Sequence, residues 1–550
     1  MKKLSSVTVL LSWLTCFLLC FSVAFLIMSK REFDEVTVNQ ILFHMQLMKD
    51  NVVTMPGDFI NVFLWHLKNS LLCAFSLLFL MHGEKIRSKA AFLALDALLL
   101  FSWYAVPGKY IDDIFFWVQA GFIAILVIAA LCRLDVLAFS LQKICGIARY
   151  CLSGWRIAGA FACIVCYSLA YVHFFDYFRG QVAHGDFYEE GAYVAPTYGM
   201  VKGSGSKNLL IIYCESIEET FGEKEIMGED LLEPLRPYIE YPDLHIGQMP
   251  GADFTIGGIV ATQCGIPLKS ISILSGNLTG WSLDKYLPGA ICLGDYLKKD
   301  GYHNVYYNGS SGVFSGLNKF FLNHGYEEFA GKEEWLKKDP GAALNMWALY
   351  DSDMIDRSIA RIDELMASGQ KFSFALSTMD THEPGFLSPP CRDGGFTDGW
   401  PGFVRCSMTQ VGRLLGHIRD KGWEDKFVIL VMGDHQARMP KLGNADLKNA
   451  GSRYVLCSLS RDGGLLPNRK EITHFDLFPT LLAALGFTIE GDRLGFGWNA
   501  FSRSALPPKG YMETLKKNVL NQSETYQKLW FPEGTNPHAQ IKEADNGQGN

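Results

Sequence analysis

Positive charge is scarce in this 550-residue chain: 50 Lys and Arg stand against 57 Asp and Glu, a formal net charge of −7. That balance excludes a nucleic-acid partner, which requires a basic face. Paired cysteine ligands are missing from the second half. Cys214, Cys264, Cys292, Cys391, Cys406 and Cys457 include no C-x-x-C pair, which excludes a thiolate zinc site there. A uniform character is missing too, because the apolar content of 49% averages two unlike parts. Residues 1–175 are greasy, 176–204 read as a linker, and 205–510 read as an ordinary globular domain. Residues 511–550 form an extension whose polar end, "HAQIKEADNGQGN", is expected to be disordered.

Apolar runs dominate the first part. Five stretches, about 7–28, 60–81, 90–106, 114–132 and 156–174, are apolar enough to predict membrane spans, which need roughly 20 residues. Lys2 and Lys3 precede the first, as in a signal peptide, but "LIMSKREF" lacks a small-residue cleavage site, so it reads as an uncleaved span. Asp96 lies within the third; it and Lys68 serve either a polar pathway or helix packing. Lys2, Lys3, Lys85, Arg87, Lys89, Arg133, Lys143, Arg149 and Arg156 fall on one side of these spans, against Lys30, Arg31, Lys49 and Lys109 on the other. The richer side is cytoplasmic by the positive-inside rule, with 134–155 as a surface helix. The expectation is a five-span helical bundle in a bacterial inner membrane, with everything after Tyr177 in the periplasm. Eight of the 14 cysteines lie in the first part. An oxidising compartment permits disulfides among the rest. Spacing favours Cys264–Cys292 and Cys391–Cys406, although sequence alone leaves connectivity open. Cys214 and Cys457, in strand-like runs, are expected to be buried thiols.

The second part alternates buried strands with amphipathic helices. "NLLIIYC", "HNVYYN", "KFSFALST", "KFVILVM" and "RYVLCSL" predict strands, and "SDMIDRSIARIDELMASG" and "SMTQVGRLLGHIRDKG" predict helices. Such alternation predicts an α/β domain with a mostly parallel sheet, whose site collects at the carboxyl ends of the strands. There the sequence places Glu215 after "NLLIIYC", Asp380 and His382 after "KFSFALST", and Asp434 and His435 after "KFVILVM".

Two carboxylates and an imidazole, Glu215, Asp434 and His435, suit one divalent ion, Zn2+ or Mn2+. A nucleophile beside them would come from "MPGADFTIGGIVATQCGIPL". Thr255 starts its apolar helix, where backbone N–H groups can hold a phosphate. Thr255 equally reads as a plain N-cap, Asp253 is the rival cap, and Thr262 is a rival nucleophile about two turns inside.

"YCESIEETF", "PGADFTIGGIVATQCGIPL", "ICLGDYLKKDGY", "FFLNHGYEEFAG", "FALSTMDTHEPGF" and "GDH" occur in order over roughly 205–435. Together they resemble the alkaline phosphatase and sulfatase superfamily. Within it the chain is similar to the membrane-anchored phosphotransferases: lipoteichoic acid synthases, phosphoethanolamine transferases and, most of all, the phosphoglycerol transferase I family of Gram-negative bacteria. The resemblance implies Glu215, Thr255, Asp434 and His435 as metal ligands, Thr255 as nucleophile, and His382 as the residue that contacts the phosphate or protonates the leaving oxygen. Phe314 stands for an aromatic that meets the substrate, while Gly316 falls where the synthases place an arginine. His474, in "THFDLFPTLLAALGF", falls in a structural helix with Pro479 in its first turn, and a ligand role for it stays open. The implied reaction moves phosphoglycerol from phosphatidylglycerol, among membrane lipids, to a periplasmic glucan or other envelope glycan. A phosphoethanolamine transferase, a sulfatase-like hydrolase and a non-catalytic envelope regulator are the alternatives. "CGIPL" lacks the arginine of the sulfatase activation pattern C/S-x-P-x-R.

Overall fold

The structure is a computed structural model. It describes residues 187–239, 244–269, 283–438, 453–460 and 465–532, short pieces between 441 and 451, and helical segments within 13–178. The chain divides into two compact units, Met1–Phe175 and Asp176–Asn550.

In the first unit, helices α1 (Lys89–Tyr104), α2 (Asp113–Arg133) and α3 (Gly154–Tyr171) are defined. Among the described residues, no helix is long and apolar enough to cross a membrane. This overturns the five-span bundle and, with it, the multi-pass inner-membrane placement and the periplasmic assignment of the second unit. Helix α1 has 16 residues, about 24 Å of rise, short of the roughly 30 Å of hydrocarbon. Part of its surface meets protein through Phe92, while Leu95, Leu98 and Phe101 are exposed. Cys73, Phe79, Phe92 and Leu126 bury one another, and Arg133 Nη2 donates to the Ile86 carbonyl at 2.7 Å. A hydropathy run records that side chains avoid water; it does not distinguish lipid from a neighbouring helix. Much of the stretches 7–28 and 60–81, and nearly all of the 134–155 segment, lie outside the described residues.

The second unit is built on a six-stranded sheet of β1 (Asn208–Cys214), β2 (His303–Asn308), β3 (Glu328–Ala330), β4 (Phe372–Ser377), β5 (Phe427–Gly433) and β6 (Cys457–Leu459), in the order β6-β5-β1-β4-β2-β3. All neighbours are parallel except β6 against β5. Strand β1 shows why the sequence folds this way. Leu209, Ile211 and Tyr213 enter one core, while Leu210, Ile212 and Cys214 enter the other. Both faces are buried, so the strand reads as an unbroken apolar run, and each full side-chain burial contributes about 1.5–3 kcal/mol. Helices α4 (Thr255–Cys264), α5 (Leu293–Lys299) and α6 (Leu317–Asn323) cover the first face. Helices α7 (Asp351–Ser368) and α8 (Trp400–Asp420) cover the second. Helix α9 (His474–Ala484) joins the first core, and so do Leu515, Tyr526 and Trp530 from beyond residue 510.

Two disulfides staple this unit. Cys264, the last residue of α4, is joined to Cys292, the N-cap of α5, and Cys391 is joined to Cys406 in α8. Cys214 and Cys457 are buried and free. All four bridged cysteines are expected to resist alkylation until a reductant is added. Replacing Cys264 and Cys292 by serine should cost about 2–5 kcal/mol in denaturant unfolding. Ready alkylation of the oxidised protein would contradict the pairing.

Candidate active site

Strand register builds the site. Cys214 on β1 pairs with Gly433 on β5, so the next residues, Glu215 and Asp434, leave adjacent parallel strands side by side. Tyr213 pairs with Ser377, which brings the loop after β4 to the same rim. That loop grips Glu215 by its backbone: Glu215 N–H donates to Thr378 Oγ1 at 3.1 Å, and Thr381 Oγ1 donates to the Glu215 carbonyl at 2.6 Å. Ser216 takes a left-handed φ of 57°, a strained conformation for a residue with a Cβ. The turn lets its hydroxyl donate to Glu215 Oε1 at 2.7 Å.

Three acceptor atoms converge here. Asp434 Oδ1 accepts N–H bonds from Ser216 at 2.8 Å and His435 at 2.9 Å, while Oδ2 is buried with no hydrogen-bond partner among the described residues. His435 Nδ1 commits its proton to the Gln436 carbonyl at 2.8 Å. Nε2 therefore faces Glu215 Oε1 at 3.4 Å and Asp434 Oδ2 at 3.6 Å, as a cationic donor when protonated and with a lone pair for a metal ion when not. Burial, then the charge of Glu215, pushes the Asp434 carboxyl well above its ordinary range. Burial also opposes ionisation of Glu215, but His435, His382, the Ser216 hydroxyl and Arg438 outweigh it and hold that carboxyl low. Such a set is deficient in positive charge. An orphaned carboxylate oxygen, a second carboxylate and an imidazole held by its far nitrogen fit a divalent ion.

Thr255 completes the group. Its Oγ1 donates to Glu215 Oε2 at 3.2 Å. It does not cap α4: the N-cap is Phe254, and Asp253, the rival cap, spends Oδ1 on Gly251 N–H at 3.1 Å. Thr262 lies deep in α4, its hydroxyl donating to the Gly258 carbonyl at 2.8 Å. Helix α4 can approach the strand ends because position 258 is glycine; a Cβ there would lie 2.1 Å from the Asp434 carbonyl oxygen. Gly258→Ala should cost about 1–3 kcal/mol of stability by overpacking. It should also cost about 100-fold in turnover by displacing Thr255. An equally stable, fully active variant would refute this packing constraint.

His382 stands near enough to help hold Glu215 ionised. Its Nδ1 faces the Glu383 carbonyl at 3.1 Å, and the Trp347 ring lies 5.1 Å away. Phe314 opens a short turn, Phe314–Gly316, beyond the end of β2. Asp380 is no ligand: Asn345 Nδ2, Ser388 Oγ and Asp351 N–H occupy its oxygens. His474 Nε2 donates to the Asp434 carbonyl at 2.9 Å, and burial lowers its imidazole to about 4. It therefore braces the backbone of Asp434. A second group close enough for a metal, Cys292, Asp295 and His324, is committed elsewhere. Cys292 is disulfide-bonded, Asp295 Oδ2 accepts from Cys292 N–H at 2.9 Å, and His324 Nε2 meets the Tyr286 carbonyl at 2.9 Å. The pattern C/S-x-P-x-R does occur once, as "SPPCR" at 388–392. Ser388 is fully buried and bonded to Asp380, and Cys391 is bridged, so neither is available as a nucleophile. Sequence reasoning passed over Ser216, Thr378, Thr381 and Gly258, which carry no chemistry until the strand neighbours are known.

Residues 285–487 match the Sulfatase family model. The chain is 37% identical over 242 residues to phosphoglycerol transferase I of Escherichia coli O6:K15:H31, covering 42% of this chain and 31% of that protein. It is 36% identical over 241 residues to phosphoglycerol transferase I of Citrobacter koseri, again 42% of this chain and 31% of the relative. The match thus spans about a third of the relatives' length. Among solved structures, the lipoteichoic acid synthase LtaP of Listeria monocytogenes gives a TM-score of 0.43 at 16% identity, covering 61% of this chain and 81% of that one.

Proposed function

Because this chain belongs to the alkaline phosphatase and sulfatase superfamily, we propose that it is a metal-dependent phosphotransferase acting through a phospho-threonine. In this reading it moves the phosphoglycerol headgroup of phosphatidylglycerol to a hydroxyl of a glucan or other envelope glycan and releases diacylglycerol. The observation that carries the reading is the hydroxyl of Thr255, at the start of a helix and 3.2 Å from a buried carboxylate within a cation-deficient group. Glu215, Asp434, His435 and Thr255 would hold the ion, Mn2+ or Zn2+, which when bound supplies stabilisation of negative charge developing on oxygen.

The chain's own residues do the rest. Thr255 Oγ1 forms the new bond to phosphorus as its proton passes toward Glu215 Oε2, the atom it already meets. The bond from phosphorus to the diacylglycerol oxygen breaks, and His382 protonates the departing alkoxide through Nε2, its Nδ1 being committed to Glu383. The acceptor hydroxyl then attacks phosphorus and gives its proton to His382 Nε2, the bond from phosphorus to Thr255 Oγ1 breaks, and Oγ1 takes its proton back from Glu215 Oε2. Splitting one displacement into two lowers each barrier, and the first N–H groups of α4 favour an anion beside Thr255.

The test is turnover of labelled phosphatidylglycerol and phosphatidylethanolamine side by side, with a glucan acceptor and without it. Diacylglycerol release from phosphatidylglycerol, with label on the glycan, is the expected result. Transfer from phosphatidylethanolamine alone would identify a phosphoethanolamine transferase, and release to water unaffected by acceptor would identify a hydrolase.

A further inference from the structure

Arg438 lies three residues beyond His435 on the loop that leaves β5. Its Nη2 reaches the carbonyl of Asp253, two residues ahead of Thr255, at a long 3.4 Å. Its Nε is buried and has no hydrogen-bond partner among the described residues. An unsatisfied buried donor on a cation is costly, and a guanidinium carries a planar fork of donors that matches two oxygens of one phosphate.

Charge balance says which partner is missing. Glu215 and Asp434 bring two negative charges, which a divalent ion would meet in full. Among the described residues Arg438 has no ion-pair partner of its own, and it stands against the loop that leads into Thr255.

We propose that Arg438 binds the substrate phosphate, pairing Nε and one Nη with the non-bridging oxygens of the phosphodiester presented to Thr255. This rests on the phosphotransferase reading and deepens it. The ligand class is a phosphate ester of a small polyol. Arg438 supplies affinity and orientation, and it takes no proton.

The experiment uses the purified full chain with its metal content measured. Glycerol 1-phosphate is titrated calorimetrically into wild type, Arg438→Gln and Arg438→Lys, and KM and kcat are measured with phosphatidylglycerol. Arg438→Gln should weaken glycerol phosphate binding roughly 30-fold, the scale of a charge-assisted pair. KM should rise by a similar factor, with metal content and unfolding midpoint unchanged. Arg438→Lys keeps the charge without the fork and should fall between. Unchanged affinity and KM in both variants would overturn the proposal. So would altered metal content with intact phosphate binding, because Arg438 would then serve only the carboxylates. Wild type that binds glycerol phosphate through Arg438 but transfers no headgroup would remove the transfer reading and leave the anion site standing. Wild type that transfers, with Arg438→Gln unchanged in KM, would remove Arg438 alone.

Discussion

Asp434→Asn should lose bound metal and turnover together, the latter by at least about 100-fold, since even outer-shell partners of a metal site are worth 10–100-fold. The substitution is close to isosteric. An amide oxygen can still accept from Ser216 N–H and His435 N–H, as Oδ1 does now at 2.8 and 2.9 Å. What changes is Oδ2, the buried oxygen with no hydrogen-bond partner among the described residues. It becomes an NH2 group, which offers a cation neither a lone pair nor a charge. The metal-free variant should be at least as stable as metal-free wild type, because the repulsion from Glu215 that pushes the Asp434 carboxyl up is gone. Elemental analysis, turnover and unfolding on one preparation check all three. Full metal occupancy with full activity would remove Asp434 from the site.

Thr255→Ala should abolish turnover, by roughly 100,000-fold, the order seen when a covalent nucleophile is deleted. The fold should survive. The hydroxyl makes its bond to Glu215 and caps nothing, so its loss should cost only about 1 kcal/mol. Thr262→Ala should be mild in activity, because that hydroxyl bonds back to the carbonyl of Gly258 inside the same helix. Paired turnover and unfolding measurements separate the two threonines. Equal losses of activity would mean that α4 contributes packing and not a nucleophile.

Strands buried on both faces were the most legible part of the sequence. "NLLIIYC" and "HNVYYN" coincide with β1 and β2 to the residue, because an apolar run bounded by polar residues leaves no other register. Helix starts were harder. Helix α8 begins at Trp400, ahead of the "SMTQ" run, because Pro401 and Gly402 sit in its first turn, where a missing N–H does no harm. Pro479, expected in a first turn, lies inside α9, which starts at the capping box of Thr473 and Asp476. The apolar runs before residue 175 misled for a physical reason: apolar content does not by itself set helix length, and α1 stops at 16 residues.

In the site, the convergence of Glu215, Asp434 and His435 was legible because Glu215 directly follows one strand and the Asp434–His435 pair follows its parallel neighbour in register. Asp380 follows a strand too and looked the same. Only the fold shows that Asn345, Ser388 and the N-terminus of α7 consume its oxygens. A cap and a nucleophile occupy the same place in a sequence; the Phe254 N-cap and the Glu215 contact remove the cap reading of Thr255, and its role as nucleophile is the proposal made above. Arg438 gave no signal, since its meaning lies in a carbonyl 185 residues earlier.

The most direct measurement is peptide mass spectrometry of wild type incubated with phosphatidylglycerol and no acceptor. One peptide, the one containing Thr255, should gain the mass of a phosphoglycerol group, and Thr255→Ala should gain none. A phosphoglycerol adduct on any other residue, or an unmodified enzyme that still releases diacylglycerol at the full rate, would contradict covalent transfer through Thr255.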